Sequence, residues 1–93
     1  MKPFELEIIT PESTIFKGKI FSLIFPAYDG YMGVLSGHAS FIGSLGTGKT
    51  FFNIVPDGAE TPNTYFVRDG FIEIISRPFA TTKVTILAEN ISR

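Results

Sequence analysis

GSLGTGKTFFNIVPDG, residues 43–58, decides what kind of fold this chain can have. Its first eight residues, Gly43 to Thr50, match the phosphate-loop pattern G-x-x-x-x-G-K-[ST] at every required position. A working loop of that kind cradles nucleotide phosphates with backbone N–H groups. It sets Lys49 on the β/γ-phosphates and Thr50 on Mg²⁺, and it runs at once into a helix whose N-terminal N–H groups and dipole hold the anion. Here Phe51, Phe52, Asn53, Ile54 and Val55 follow. Aromatic and β-branched residues favour a strand, and Pro56 with Gly58 would break a helix within two turns. No later strand ends in an aspartate placed to hold Mg²⁺, and 93 residues are short for a parallel nucleotide-binding sheet. The stretch reads as a glycine-containing turn leading into a strand, Lys49 to Val55.

The segments on either side repeat that pattern. Phe4 to Thr10 alternates strictly, with Phe4, Leu6 and Ile8 on one face and Glu5 and Glu7 on the other, as a half-buried strand does. A turn at Thr10-Pro11-Glu12-Ser13 follows, then a short strand over Ile15–Lys17, ended or bulged at Gly18. Lys19 to Phe25, KIFSLIF, is a stronger strand stopped by Pro26, with Phe21, Leu23 and Phe25 on one face and Ile20 and Ile24 on the other. Ala39 to Leu45 fits a short strand or a turn. After the turn signal Pro56-Asp57-Gly58, Asn63 to Arg68 pairs back as a hairpin with Lys49–Val55. Asp69-Gly70 reads as a tight two-residue turn, the usual signature of a short hairpin. Phe71 to Ser76 is the next strand, ended by Pro78, and Lys83 to Ala88 is the last. Seven to nine short strands separated by turn signals, with no amphipathic helical period, predict an antiparallel β-sandwich or flattened barrel in one domain, 1–93.

Between two of these strands lies DGYMGVLSGHAS, residues 29–40. Gly30, Gly33 and Gly37 suit successive tight turns. Tyr31, Met32, Val34 and Leu35 are too apolar for an ordinary solvated loop. A loop of that composition folds back on the core or presses on a partner, with Tyr31 and Met32 expected at its tip. KIFSLIF and FIEIIS also carry apolar residues on both faces, so some strand surface calls for cover by another chain.

Composition excludes several chemistries. The formal net charge is −1 and no basic run exists, which argues against a nucleic-acid or acidic-membrane surface. With one histidine, His38, and no cysteine, no thiolate or histidine-cluster metal site can be built. Ser36, Ser40 and Ser44 lie near His38, but no oxyanion-hole signature accompanies them, so no nucleophilic centre is read there. No apolar run approaches the roughly 20 residues that span a bilayer. The N-terminus MKPFELEII lacks a signal-peptide cleavage pattern, so the chain reads as made and kept in the cytosol.

The order LEIITPE, IFKGKIFSLIFPAYDGYMGVLSGHASFIGSL, RDGFIEI and KVTILAE resembles the N-terminal domain of the epsilon subunit of F-type ATP synthases. The DG-x-x-GVL-x-GHA block carries the likeness most specifically, and the likeness covers nearly the whole chain. It implies a flattened β-sandwich of about ten short strands on the central stalk, with no catalytic residue, cofactor or metal of its own. The implied partners are the gamma subunit, towards Thr10, His38 and Gly43, and the c-ring, towards Gly30, Tyr31 and Met32. The implied location is the cytoplasmic face of a bacterial inner membrane, peripheral, through the complex. The sequence departs from the family pattern in four ways. Ser36 and Ser40 stand where proline is often found, Asp69 replaces a glycine, and Tyr31 stands where an acidic residue is common. The 93 residues also end before the family's C-terminal helical hairpin, which fits either a short epsilon or a segment cut after the sandwich. Two other readings stay beside this one: a small nucleotide-binding protein using residues 43–50, and a generic β-sandwich interaction module.

Overall fold

The structure, a computed structural model, describes residues 2–56, 61–77 and 81–93. Asp57 and Gly58 of one expected turn, and Pro78 as a strand stop, lie outside the described residues. Eight strands form, β1 Phe4–Ile9, β2 Thr14–Ile20, β3 Ser22–Ala27, β4 Gly30–Val34, β5 Phe41–Ser44, β6 Gly48–Asn53, β7 Asn63–Ser76 and β8 Thr82–Ser92, and no α-helix appears among the described residues. They make one sheet in the order β2-β1-β8-β7-β6-β3-β4, with β5 on the later half of β7. The sheet folds over on itself. The ring of Phe16 on β2 lies 4.6 Å from that of Phe52 on β6, although three strands separate β2 from β6 along the sheet.

Alternation explains the core. Phe4, Leu6 and Ile8 of β1 meet Leu23 and Phe25 of β3, Phe52 of β6, Ile72 and Ile74 of β7, and Val84 and Ile86 of β8, all essentially inaccessible to water. Each such side chain contributes about 1.5–3 kcal/mol relative to exposure. Among the described residues all pairings are antiparallel except that of β1 with β8, which is parallel. A parallel pair needs a long crossover, and here the whole domain between the two terminal strands serves as one.

Two places where the fold differs from the strand-by-strand reading have the same cause. KIFSLIF is not one strand. Ile20 ends β2 opposite Phe4, whereas Ser22 begins β3 opposite Asn53. Phe21 is the corner between them, its N–H donating to the Asn53 carbonyl at 2.8 Å. On one straight strand Ile20 and Leu23 would face opposite ways; the corner turns both inward. Pro26 does not stop β3 but lies within it, opposite Tyr31. Its carbonyl accepts from Gly46, on the side where pairing with β6 has already ended at Ile24, so its missing N–H costs no ladder bond.

The second corner is Asp69-Gly70. It is not a hairpin turn: β7 runs through it and pairs with β8 in one register from Phe66↔Ser92 to Ser76↔Thr82. Asp69 takes φ +56°, and the inward set shifts from Tyr65 and Val67 to Ile72 and Ile74. β7 thereby pairs with β6 before the corner and with β5 after it. Gly18 also differs from expectation. It lies mid-strand under the Phe16 ring, and the register shift of β1 and β2 occurs between Ile8 and Ile9 instead.

Candidate functional site

The segment 43–50 has no free cradle. The N–H of Leu45 donates to the Gly70 carbonyl and that of Gly46 to the Pro26 carbonyl, each at 2.8 Å. The N–H of Lys49 donates to the Tyr31 hydroxyl at 3.3 Å. Thr50 is 0% exposed on β6, so its hydroxyl cannot reach a metal–nucleotide complex in solvent. The strand after Thr50, expected from Phe51 and Phe52, is present where a phosphate loop needs a helix.

The stretch 29–40 is a strand and a turn. Gly30 and Gly37 take φ +136° and +88°, the roles expected of turn glycines, whereas Gly33 sits on β4 without positive φ. Tyr31 and Met32 are therefore not at a loop tip. The tip of the β3–β4 hairpin is Tyr28-Asp29, with Tyr28 88% exposed. Met32 turns inward against the core, while Tyr31, 58% exposed, lies across Pro26 with its hydroxyl on β6. A Cβ at Gly48 would stand 2.6 Å from that hydroxyl, so glycine there leaves room for the ring to lie down. Gly30, Tyr31 and Met32 are thus neighbours in sequence but present three different surroundings.

Thr10, His38 and Gly43 border a single outer face. Register places Ile9, Leu87, Phe71 and Ser44 in one row across β1, β8, β7 and β5, and Glu7, Thr85, Glu73 and Ile42 in the next outward row. Thr10 follows Ile9 at one corner, and Gly43 precedes Ser44 about three strand spacings away, roughly 14 Å. His38 lies beyond the other end of β5, in a turn tied to Ser76 at the end of β7. Between them Ile42 is 72% exposed and Phe71 59% exposed, with Leu87 and Ile75 part-exposed beside them. The outward apolar residues of FIEIIS were legible from alternation. Ile42 was not, because Ala39–Leu45 gives no clear period, and Tyr28 was masked by its place beside the turn signal Asp29-Gly30.

The family model for the ATP synthase delta/epsilon chain β-sandwich domain matches residues 3–93. The chain belongs to that family. An ATP synthase epsilon chain of Endomicrobium trichonymphae is 36% identical over 89 residues, covering 96% of this chain and 58% of the relative. One from Chlorobaculum tepidum is 34% identical over 91 residues, covering 98% of this chain and 94% of the relative. The chain thus spans little more than half of some epsilon chains and nearly all of others. Among solved structures, a chain of the Euglena gracilis mitochondrial ATP synthase OSCP/F1/c-ring assembly superposes with a TM-score of 0.81 at 20% identity, over 96% of this chain and 52% of that one. A chain of the Tetrahymena thermophila mitochondrial ATP synthase central stalk and c-ring gives 0.74 at 8% identity, over 97% and 66%. At these identities the likeness concerns the fold.

Within the delta/epsilon sandwich, three of the departures from the family pattern acquire a structural reason. Asp69 occupies a positive-φ position that glycine fills without strain and aspartate tolerates. The Ser40 hydroxyl accepts from Ser76 N–H at 3.0 Å, a bond proline has no side-chain oxygen to make. Tyr31 replaces charge with a hydroxyl that bonds β6.

Proposed function

We propose that this chain is a non-catalytic central-stalk subunit of an F-type ATP synthase, joining the gamma subunit to the c-ring so that torque from ion flow reaches the catalytic head. The observation that carries this reading is the exposed apolar face of β1, β8, β7 and β5, bordered by Thr10, His38 and Gly43. A side chain such as Phe71, turned outward from the core and flanked by Leu87 and Ile42, gains by burial against a partner. Gamma would cover this face. The β3–β4 hairpin, with Gly30, Tyr31 and Met32 near its end, would rest on the polar loops of the c-ring. The chain would sit at the cytoplasmic face of the membrane through these contacts, and no helix among the described residues is long and apolar enough to cross a membrane. The test is assembly with purified gamma subunit. Phe71→Ser should weaken binding by about 2 kcal/mol, roughly 30-fold, with an unchanged melting curve because the side chain faces outward. Parent-like binding by Phe71→Ser would refute the assignment of this face.

A further inference from the structure

The turn after β4 is held from outside by a directed chain of hydrogen bonds. His38 N–H closes the turn onto the Leu35 carbonyl at 3.1 Å. Opposite it stand two hydroxyls, Ser76 at the end of β7 and Thr82 at the start of β8. Gly37 N–H donates to Thr82 Oγ1 at 2.8 Å, the Thr82 and Ser76 hydroxyl oxygens lie 2.9 Å apart, and Ser76 Oγ bonds the His38 carbonyl. A carbonyl only accepts, so Ser76 spends its one proton on His38. The proton between the two hydroxyls must then come from Thr82. The order is fixed: Gly37 N–H to Thr82, Thr82 O–H to Ser76, Ser76 O–H to His38 C=O. Ser40 adds a second tie, its oxygen accepting from Ser76 N–H at 3.0 Å and its hydroxyl reaching the Ser76 carbonyl at 3.3 Å.

Thr82 is 3% exposed, in a position where valine would fill the same volume, so its hydroxyl there answers to the turn. The turn in turn fixes His38. Its Nδ1 lies 2.7 Å from the Ala39 carbonyl, which requires the proton on Nδ1 and leaves Nε2 of the neutral ring as a bare acceptor.

We propose that Thr82 and Ser76 are positioning residues for partner docking. Their hydroxyl chain holds the 35–40 turn in one conformation, so that His38 offers Nε2 to a hydrogen-bond donor on the gamma subunit. This rests on the gamma-facing reading of the His38 side given above.

The test compares Thr82→Val, which removes the hydroxyl and keeps the shape, with Thr82→Ser, which keeps the hydroxyl. Two quantities are read for the full chain: amide exchange at Gly37, and affinity for purified gamma. Thr82→Val should speed Gly37 exchange and weaken gamma binding by about tenfold each, the worth of one hydrogen bond. Thr82→Ser should restore both to within roughly twofold of the parent. Should Thr82→Val lower the melting point too far to use, Ser76→Ala cuts the same chain one link later and carries the same expectation. Faster Gly37 exchange with parent-like gamma binding, while His38→Ala still weakens binding, overturns the positioning role and leaves the central-stalk reading standing. If neither His38→Ala nor Thr82→Val changes the affinity of a parent that binds gamma, the His38 contact itself is overturned. A parent that does not bind gamma overturns both readings.

Discussion

Gly70 is glycine for lack of space, and that can be measured. A Cβ built on it would overlap the Leu87 carbonyl oxygen and stand 2.7 Å from Ala88 Cα. Both obstacles are backbone atoms of β8, and Leu87 and Ala88 pair with Phe71 and Gly70 in the same ladder. Neither can retreat without opening the longest strand pair of the domain. Added volume in a packed core typically costs about 1–3 kcal/mol when side chains can shift, so Gly70→Ala should fall at or above the top of that range, about 3 kcal/mol. For a domain of this size roughly 1 kcal/mol corresponds to about 4–8 °C, so the melting point should drop by roughly 12–24 °C. Gly33→Ala is the control. It has open space and no positive φ, so it should melt within about 3 °C of the parent or slightly higher, since alanine restricts the unfolded chain. Gly70→Asn separates close approach from turn chemistry. Asparagine tolerates left-handed turns, so a two-residue turn would accept it, whereas close approach makes it as damaging as alanine. Thermal melts and urea titrations of the three variants decide the matter. A Gly70→Ala variant melting within about 4 °C of the parent would refute the packing argument.

Two further outcomes follow from single hydrogen bonds made or missed. Tyr31→Phe removes the acceptor of Lys49 N–H and should cost about 0.5–1.5 kcal/mol, with faster amide exchange at Lys49 and little change elsewhere. Thr50→Val replaces a buried hydroxyl that has no partner among the described residues and should raise stability by about 1 kcal/mol; a lower melting point would mean that the hydroxyl is satisfied after all.

How far the sequence was legible depended on whether the deciding contact was local. β1 reads directly, because Phe4, Leu6 and Ile8 need only their own spacing to declare a buried face. The strand after Thr50 reads for the same reason. Asp69-Gly70 misleads because a hairpin turn and a mid-strand corner both call for φ > 0 at a residue that tolerates it. Only the pairing of both halves of β7 with β8 distinguishes them, and that pairing is not local. KIFSLIF misleads similarly: its apolar residues lie on both faces of an imagined straight strand, and the corner at Phe21 reconciles them. Tyr31 was legible as an unusual residue in its place. Its destination on β6 was not, since Lys49 is 18 residues away.

The corners also bear on how a subunit of this shape could carry load. The β3–β4 hairpin and the outer face around Phe71 belong to different arms of the folded sheet. Two strands run through both arms, β7 and β8: β7 bonds β6, and through it β3, before Asp69, and bonds β5 after Gly70. β8 accompanies it through the corner without a break in register. A displacement applied at the hairpin would therefore reach the Phe71 face through a continuous backbone ladder, with no loop interposed. Side-chain packing alone would let the two arms slide, because dispersion contacts have little directionality. Ladder bonds do not, since each fixes a donor–acceptor distance and angle. If gamma sits on one arm and the c-ring on the other, the double-length β7 is what makes the domain a stiff connector, and the tight fit of Gly70 against β8 is what keeps that strand whole at its bend.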